Sequence, residues 1–250
     1  MEYGWELILL VIAGFAAGFI NTLAGGGSLL TLPMLIFIGL PSSVANGTNR
    51  IAIILQNFSA VMGFKSKGVS TFPFNVYLGI SALIGALIGA QIAVDIKGEV
   101  FNRILAIIMI VVVLIIVFKP KMDLANMEER LTGKQLWLGI IAFFFFGIYG
   151  GFINAGLGFI VLLFLHYVNK MTLVRSNATK VAVVLIYTLG ALVVFILNDK
   201  INWGIGLILS IGNASGAWLA SRWSVRKGDK VIKTFLFVMV VVMAVKLWFF

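Results

Sequence analysis

The chain has no cysteine and a single histidine, His166. That absence excludes disulfides, thiolate metal sites and cysteine nucleophiles. Charge is also scarce, at 11% of residues, with nine acidic side chains against nineteen basic ones. No Asp or Glu falls in the middle of an apolar segment, since Asp95, Glu99, Asp199 and Asp229 all lie at segment ends. A cation or proton pump built on membrane carboxylates therefore has little to work with. Paired membrane carboxylates, metal-ligand clusters and a Ser with a plausible His partner are all missing, which argues against an enzyme. The first six residues hold Glu2 and Glu6 but no Lys or Arg, so the basic start of a signal peptide is not there and the first apolar run is expected to be retained.

What is present is oil. Hydrophobic residues make up 61% of the chain, and its mean hydropathy is +1.10. Such a surface has to face lipid. Apolar runs fill nearly all of residues 1–250, which predicts one membrane domain of all-α class. The formal charge of +10 sits in short loops, where it sets membrane orientation rather than binding nucleic acid.

The sequence repeats itself at an offset of 130 residues. Ile96 to Leu105 lies over Arg226 to Phe235, and Asn49 to Leu55 lies over Thr179 to Leu185, which pairs Arg50 with Lys180. Three residues of slippage bring Gly14 to Asn21 onto Gly147 to Asn154. Two equivalent halves follow, 1–119 and 135–250, joined by a linker at 120–134. The first half divides into Trp5 to Leu23, Ser28 to Leu40, Val44 to Phe64, Phe74 to Val94 and Arg103 to Phe118. The second divides into Gln135 to Ile153, Gly158 to Asn169, Val174 to Leu197, Trp203 to Ser221 and Val231 to Phe249. The second element of each half is too short to cross a core of about 30 Å.

Lys and Arg collect in cytoplasmic loops. If the first two elements of each half return the chain to its starting side, one face holds five of the nineteen basic residues and the other fourteen. If each pair counts as one crossing, the split is eight against eleven. Only the first arrangement is biased, and it places both termini outside and turns the second half upside down relative to the first. Inverted halves, each with a broken helical hairpin plus three transmembrane helices, belong to transporters, whose site lies near the midplane between the halves.

The breaks carry the chemistry. Ala24 to Ser28, with the triplet Gly25, Gly26 and Gly27, is expected to form one hairpin tip, and Asn154 to Gly158 its counterpart. Irregular backbone survives at that depth only when protein covers it or it lines a polar cavity. Each following helix would aim free N–H groups at the cavity, with Ser28 as a candidate N-cap, and such a site prefers an anion. Gly79, Gly85, Gly89 and Gly216 read instead as close-packing positions. If the third helices start at Ser42 and Thr172, Arg50 and Lys180 each lie about 12 Å along, close to the midplane. Asn46, Thr48 and Asn49 beside Arg50, and Ser176, Asn177 and Thr179 beside Lys180, would add neutral donors. His166 lies near the end of the second short element and reads as incidental.

The stretches Gly18 to Leu35 and Ala45 to Ala52, with degenerate second copies at Gly151 to Gly158 and Asn177 to Leu185, resemble the TauE/SafE family of sulfite exporters and sulfonate carriers. The resemblance implies a bacterial or archaeal inner-membrane carrier for sulfite, sulfonates or related organic anions. It also implies a substrate site near Asn21, Gly25 to Ser28 and Asn46 to Arg50, and near Asn154, Gly158 and Ser176 to Lys180. The second tip departs from the pattern by lacking the glycine triplet. The expected partners are a small anion and the lipid bilayer, with no cofactor, metal or nucleic acid, and a homo-oligomer is left open. An anion channel on the same scaffold and a non-transporting lipid-binding module are the alternatives.

Overall fold

The computed structural model describes residues 4–117, 128–228 and 234. Within them the chain is all-helical: α1 Gly4–Ala24, α2 Ser28–Phe37, α3 Ser42–Lys65, α4 Phe74–Asp95, α5 Gly98–Val117, α6 Gly133–Phe152, α7 Leu157–Tyr167, α8 Leu173–Leu197 and α9 Trp203–Lys227. Apart from residue 234, the tenth expected element, Val231 to Phe249, lies outside the described residues, as do residues 118–119 and linker residues 120–127.

Helix boundaries follow local chemistry. α5 starts at Gly98, five residues before the expected Arg103, with Glu99 in its first turn, where a carboxylate complements the positive end of the helix dipole. α9 runs to Lys227 instead of Ser221 and carries Arg226 and Lys227 in its last turn, the matching arrangement at the negative end. α2 and α7 have 10 and 11 residues, so they span only about 15 to 17 Å at 1.5 Å per residue. Among the described residues five helices are long and apolar enough to cross a membrane: α1, α4, α6, α8 and α9. α3 is as long, but Asn46, Thr48, Asn49, Arg50, Gln56 and Asn57 interrupt its apolarity, and all six are buried. Large apolar side chains such as Ile12, Phe58, Ile84, Val193 and Ile211 point outward, as a lipid-facing surface requires. The chain is a multi-pass membrane protein.

The helices gather into two bundles that do not follow the halves of the sequence. α1 and α3 pack along α9, whereas α6 and α8 pack along α4, and α3 meets α8 between the bundles. Exchanging α1 with α6, α2 with α7, α3 with α8 and α4 with α9 maps these main pairings onto themselves.

Glycine makes the closest crossings. A β-carbon on Gly18 would lie 2.1 Å from the carbonyl oxygen of Asn213, and one on Gly151 would lie 2.2 Å from that of Ala86. Gly85, Gly89 and Gly216 sit equally close to the backbone of a neighbouring helix, and Gly79 packs against the side chain of Ile186. Lipid tails are as apolar as Leu, so contact and dispersion replace the hydrophobic effect in holding such helices together. Gly18→Val and Gly151→Val are expected to destabilise the detergent-solubilised protein by about 1–3 kcal/mol, read from thermal unfolding. Gly98→Ala, whose β-carbon would meet nothing nearer than Ser42 Oγ at 3.5 Å, should leave the midpoint unchanged.

Candidate functional site

α1 stops at Ala24 because Gly25 turns the chain with φ +84°, and α2 resumes at Ser28. In the other half α6 stops at Phe152, Asn154 and Gly156 take φ of 58° and 72°, and α7 begins at Leu157. Left-handed backbone suits glycine, and Asn is among the few other residues that adopt it readily. The two tips meet in the protein interior. A β-carbon on Gly25 would lie 2.2 Å from the carbonyl carbon of Gly158 and 2.3 Å from the nitrogen of Phe159. Glycine at 25 and 158 is what lets these backbones touch. Residues 22–29 and 153–159 are all buried.

Side chains join the tips as well. Asn154 donates from Nδ2 to Ser28 Oγ at 3.4 Å, and the Tyr187 hydroxyl donates to Asn154 Oδ1 at 2.5 Å. Ser28 is therefore not the cap of α2. Gly27 already has helical dihedrals and occupies the N-cap position without any side-chain cap bond, so Ser28 falls inside the first turn and its hydroxyl is free to meet Asn154. The tip is steadied by Asn21, whose Oδ1 accepts from the Gly27 amide at 3.3 Å. The amides of Gly26 and Ser28, and those of Leu157 and Gly158, donate to no backbone carbonyl among the described residues. Beside Gly26 there is also room, since a β-carbon there would meet only Leu29 Cδ1, at 3.8 Å.

Arg50 and Lys180 sit at the other ends of the breaks. Arg50 donates to the carbonyls of Gly150 at 2.5 Å and Gly151 at 2.8 Å, and to Asn46 Oδ1 at 3.1 Å. Asn46 in turn donates to the Phe152 carbonyl at 2.7 Å. These are last-turn carbonyls of α6, which the break deprives of helical partners. Lys180 donates to the carbonyls of Asn21 at 2.9 Å and Thr22 at 3.0 Å and to Asn177 Oδ1 at 2.6 Å, while Asn177 donates to the Leu23 carbonyl at 3.1 Å. The third helix of each half thus caps the broken first helix of the other. An ammonium has three donors, so Lys180 has none left over. Arg50 keeps its buried Nε without a partner, and its guanidinium lies 5.5 Å from the Phe195 ring centroid.

The remaining expected residues divide in their roles. Thr48 Oγ1 accepts from the Asn202 amide at 2.9 Å, holding the start of α9. Thr179 donates to the Arg175 carbonyl at 3.0 Å within its own helix. Asn49 Oδ1 and Ser176 Oγ are buried without hydrogen-bond partners. His166 is buried and donates from Nδ1 to the Met171 carbonyl at 2.9 Å, closing the turn after α7. Sequence reasoning missed Tyr187, although it lies over Asn57 at the same 130-residue offset that pairs Arg50 with Lys180.

A family model described as sulfite exporter TauE/SafE matches residues 10–247. The chain is 29% identical over 253 residues to a probable membrane transporter protein of Haemophilus influenzae, a match covering 99% of this chain and 96% of that one. It is 27% identical to the probable membrane transporter protein ORF9 of a Sinorhizobium species, over 96% of this chain and 92% of the relative. The probable membrane transporter protein YfcA of Escherichia coli K12 is 28% identical, over 96% and 88%. No solved structure matches the chain.

Removing a cap should unsettle the opposite half. Lys180→Met strands the Thr22 carbonyl and the Asn177 side-chain oxygen, while the Asn21 carbonyl keeps the Gly25 amide, and Arg50→Met strands the carbonyls of Gly150 and Gly151 and Asn46 Oδ1. Each stranded acceptor costs about 1–3 kcal/mol, so both variants should unfold at clearly lower temperature. Arg50→Lys should restore only part of the loss, because an ammonium cannot reproduce the planar fork.

Proposed function

The chain belongs to the sulfite exporter TauE/SafE family, and from that premise we propose that it is a secondary carrier of small oxyanions, sulfite and short sulfonates among them, in a bacterial or archaeal inner membrane. The carrying observation is the meeting of two broken hairpins, which brings unpaired amides of Gly26, Ser28, Leu157 and Gly158 to one buried junction. Amides at helix starts, together with the positive dipole ends behind them, attract negative charge. Ser28, Asn154 and Tyr187 supply neutral polar groups at the same place. Arg50 and Lys180 act through their charge, with Nε the one nitrogen of the Arg50 guanidinium that has no hydrogen-bond partner.

The two halves are taken as inverted, with both termini outside and the loops around Lys65 and Lys170 in the cytoplasm. Alternating access then consists of movement of the α1, α3 and α9 bundle against the α4, α6 and α8 bundle, because those are the groups that packing holds together.

Reconstituted protein should take up sulfite with saturation and show counterflow, whereas an ohmic, unsaturable current would identify a channel instead. Asn154→Asp, which places a carboxylate at the junction, should lower uptake at least tenfold while the protein stays folded; unchanged uptake would remove the junction from the pathway. Topology has its own test, made simple by the absence of cysteine. Cysteines introduced at Lys67 and at Lys97, both exposed, should label from opposite sides of the membrane.

A further inference from the structure

A cleft of about 70 Å³ opens at the end of the molecule where α3 finishes. The C-terminal turn of α3, the connection to α4 and the middle of α8 enclose it. Its inner wall is apolar, made by Val61, Phe64, Ala178 and Ala182, while Lys65, Thr71 and Asn75 form a polar side. Thr71 is only 4% exposed, yet its hydroxyl has no hydrogen-bond partner, and Asn75 Oδ1 is buried and equally unpartnered. Buried polar atoms are nearly always satisfied. Both residues line the cleft beside Lys65, where a polar ligand would supply the partners they lack.

The corresponding place in the other half is sealed. On the third helices, shifted by 130 residues, Lys65 becomes Phe195 and Ala178 becomes Thr48. There the Thr48 hydroxyl accepts from the Asn202 amide at 2.9 Å and fastens the connection to the helix. A β-carbon on the adjacent Gly47 would lie 2.0 Å from the Lys200 carbonyl oxygen. At the open end Ala178 offers no such acceptor, and the amide of Phe72 in the connection turns back to Ser70 Oγ at 3.4 Å. One end is thus clamped by the bond between Thr48 and Asn202, and the other is hollow.

We propose that this cleft is a second anion site, a waiting position for a short organic oxyanion ahead of the central junction. Lys65 holds the charged head, and Thr71 donates to it. Asn75 Oδ1 takes a hydrogen-bond donor on the ligand, and the carbon segment lies on Val61, Phe64 and the two alanines. About 70 Å³ is roughly half of the ~150 Å³ that takes a benzene ring, room for the two-carbon segment of a short sulfonate or carboxylate, whose charged head then sits at the exposed side beside Lys65. That the cleft faces the cytoplasm rests on the topology proposed above; that it binds does not.

The test titrates 2-hydroxyethanesulfonate and sulfate into the purified full-length protein and follows binding calorimetrically. The organic anion should bind more tightly than sulfate, which has no segment for the apolar wall. Thr71→Val keeps the side-chain shape and removes an unpaired hydroxyl, so folding is preserved, and it should weaken 2-hydroxyethanesulfonate by about tenfold, as should Lys65→Gln. Ser28→Ala at the central junction should leave that loss in place when combined with Thr71→Val. Equal binding by the parent and both cleft variants, or sulfate bound as tightly as the sulfonate, would overturn the proposal. If reconstituted protein moves no anion but Thr71→Val still weakens binding, the cleft stands and the carrier reading falls. If uptake saturates and responds to Asn154→Asp while Thr71→Val changes neither binding nor half-saturation, the reverse holds.

Discussion

A helix that stops inside a membrane leaves carbonyls at one end and amides at the next start, and hydrocarbon offers neither a partner. This chain stops two helices in its interior, and the rest of the structure is arranged around the four loose ends. The carbonyl ends are met by cations with an asparagine beside each, Arg50 with Asn46 and Lys180 with Asn177. A cation at a helix C-terminus is electrostatically favoured as well as hydrogen-bonded. The amide ends are left open and face each other across Gly25 and Gly158. Satisfying one polarity of backbone and leaving the other bare makes a positive junction without a dedicated basic side chain pointing into it.

That division also interlocks the two halves. Each cap comes from the other half's third helix, and the first helix of each half packs lengthwise on the fourth helix of the other, α1 on α9 and α6 on α4. Neither half holds both its broken helix and the groups that satisfy it. The close crossings at Gly18 and Gly151 fix the first helices so that their ends arrive where Lys180 and Arg50 can reach them. Packing and polar satisfaction therefore specify the same arrangement, which is the consistency across levels expected of a well-specified fold.

Much of this was legible in the residues. The short second elements, the breaks at the glycine triplet and at Asn154 to Gly158, and the places of Arg50 and Lys180 about two turns into their helices all follow from apolar run lengths and rise per residue. Periodicity and length do not reveal direction, however. From spacing alone the basic residues read as partners of an anion, whereas each donates to backbone carbonyls of a helix 100 residues or more away. Ser28 was read as a cap because serine favours that position, but the backbone of Gly27 enters helical geometry one residue earlier. Repeat matching paired Asn21 with Asn154, yet Asn21 lies within the last turn of α1 and Asn154 lies beyond the end of α6. The middle of each first helix keeps the three-residue slippage, with Gly18 and Gly151 in equivalent crossings, but α1 continues about a turn further before it breaks. Where a helix stops depends on the tertiary partner that receives its last carbonyls, and no local signal encodes that partner.

The extra turn in α1 bears on how such a molecule can move. Arg50 lies on α3 in one bundle and holds α6 in the other, while Lys180 lies on α8 and holds α1, so both caps cross the same boundary between bundles. Sliding one bundle along the other must lengthen these bonds or carry the broken ends with them. Arg50 grips two carbonyls through separate nitrogens and keeps Nε in reserve, whereas Lys180 rotates about a single nitrogen with every donor engaged. A planar fork resists reorientation and an ammonium tolerates it. The α6 break is accordingly the stiffer of the two and the α1 break, with its three glycines, the more compliant. Two tips that are equivalent in plan differ in mechanics, and the difference comes from one guanidinium standing where its counterpart is an amine.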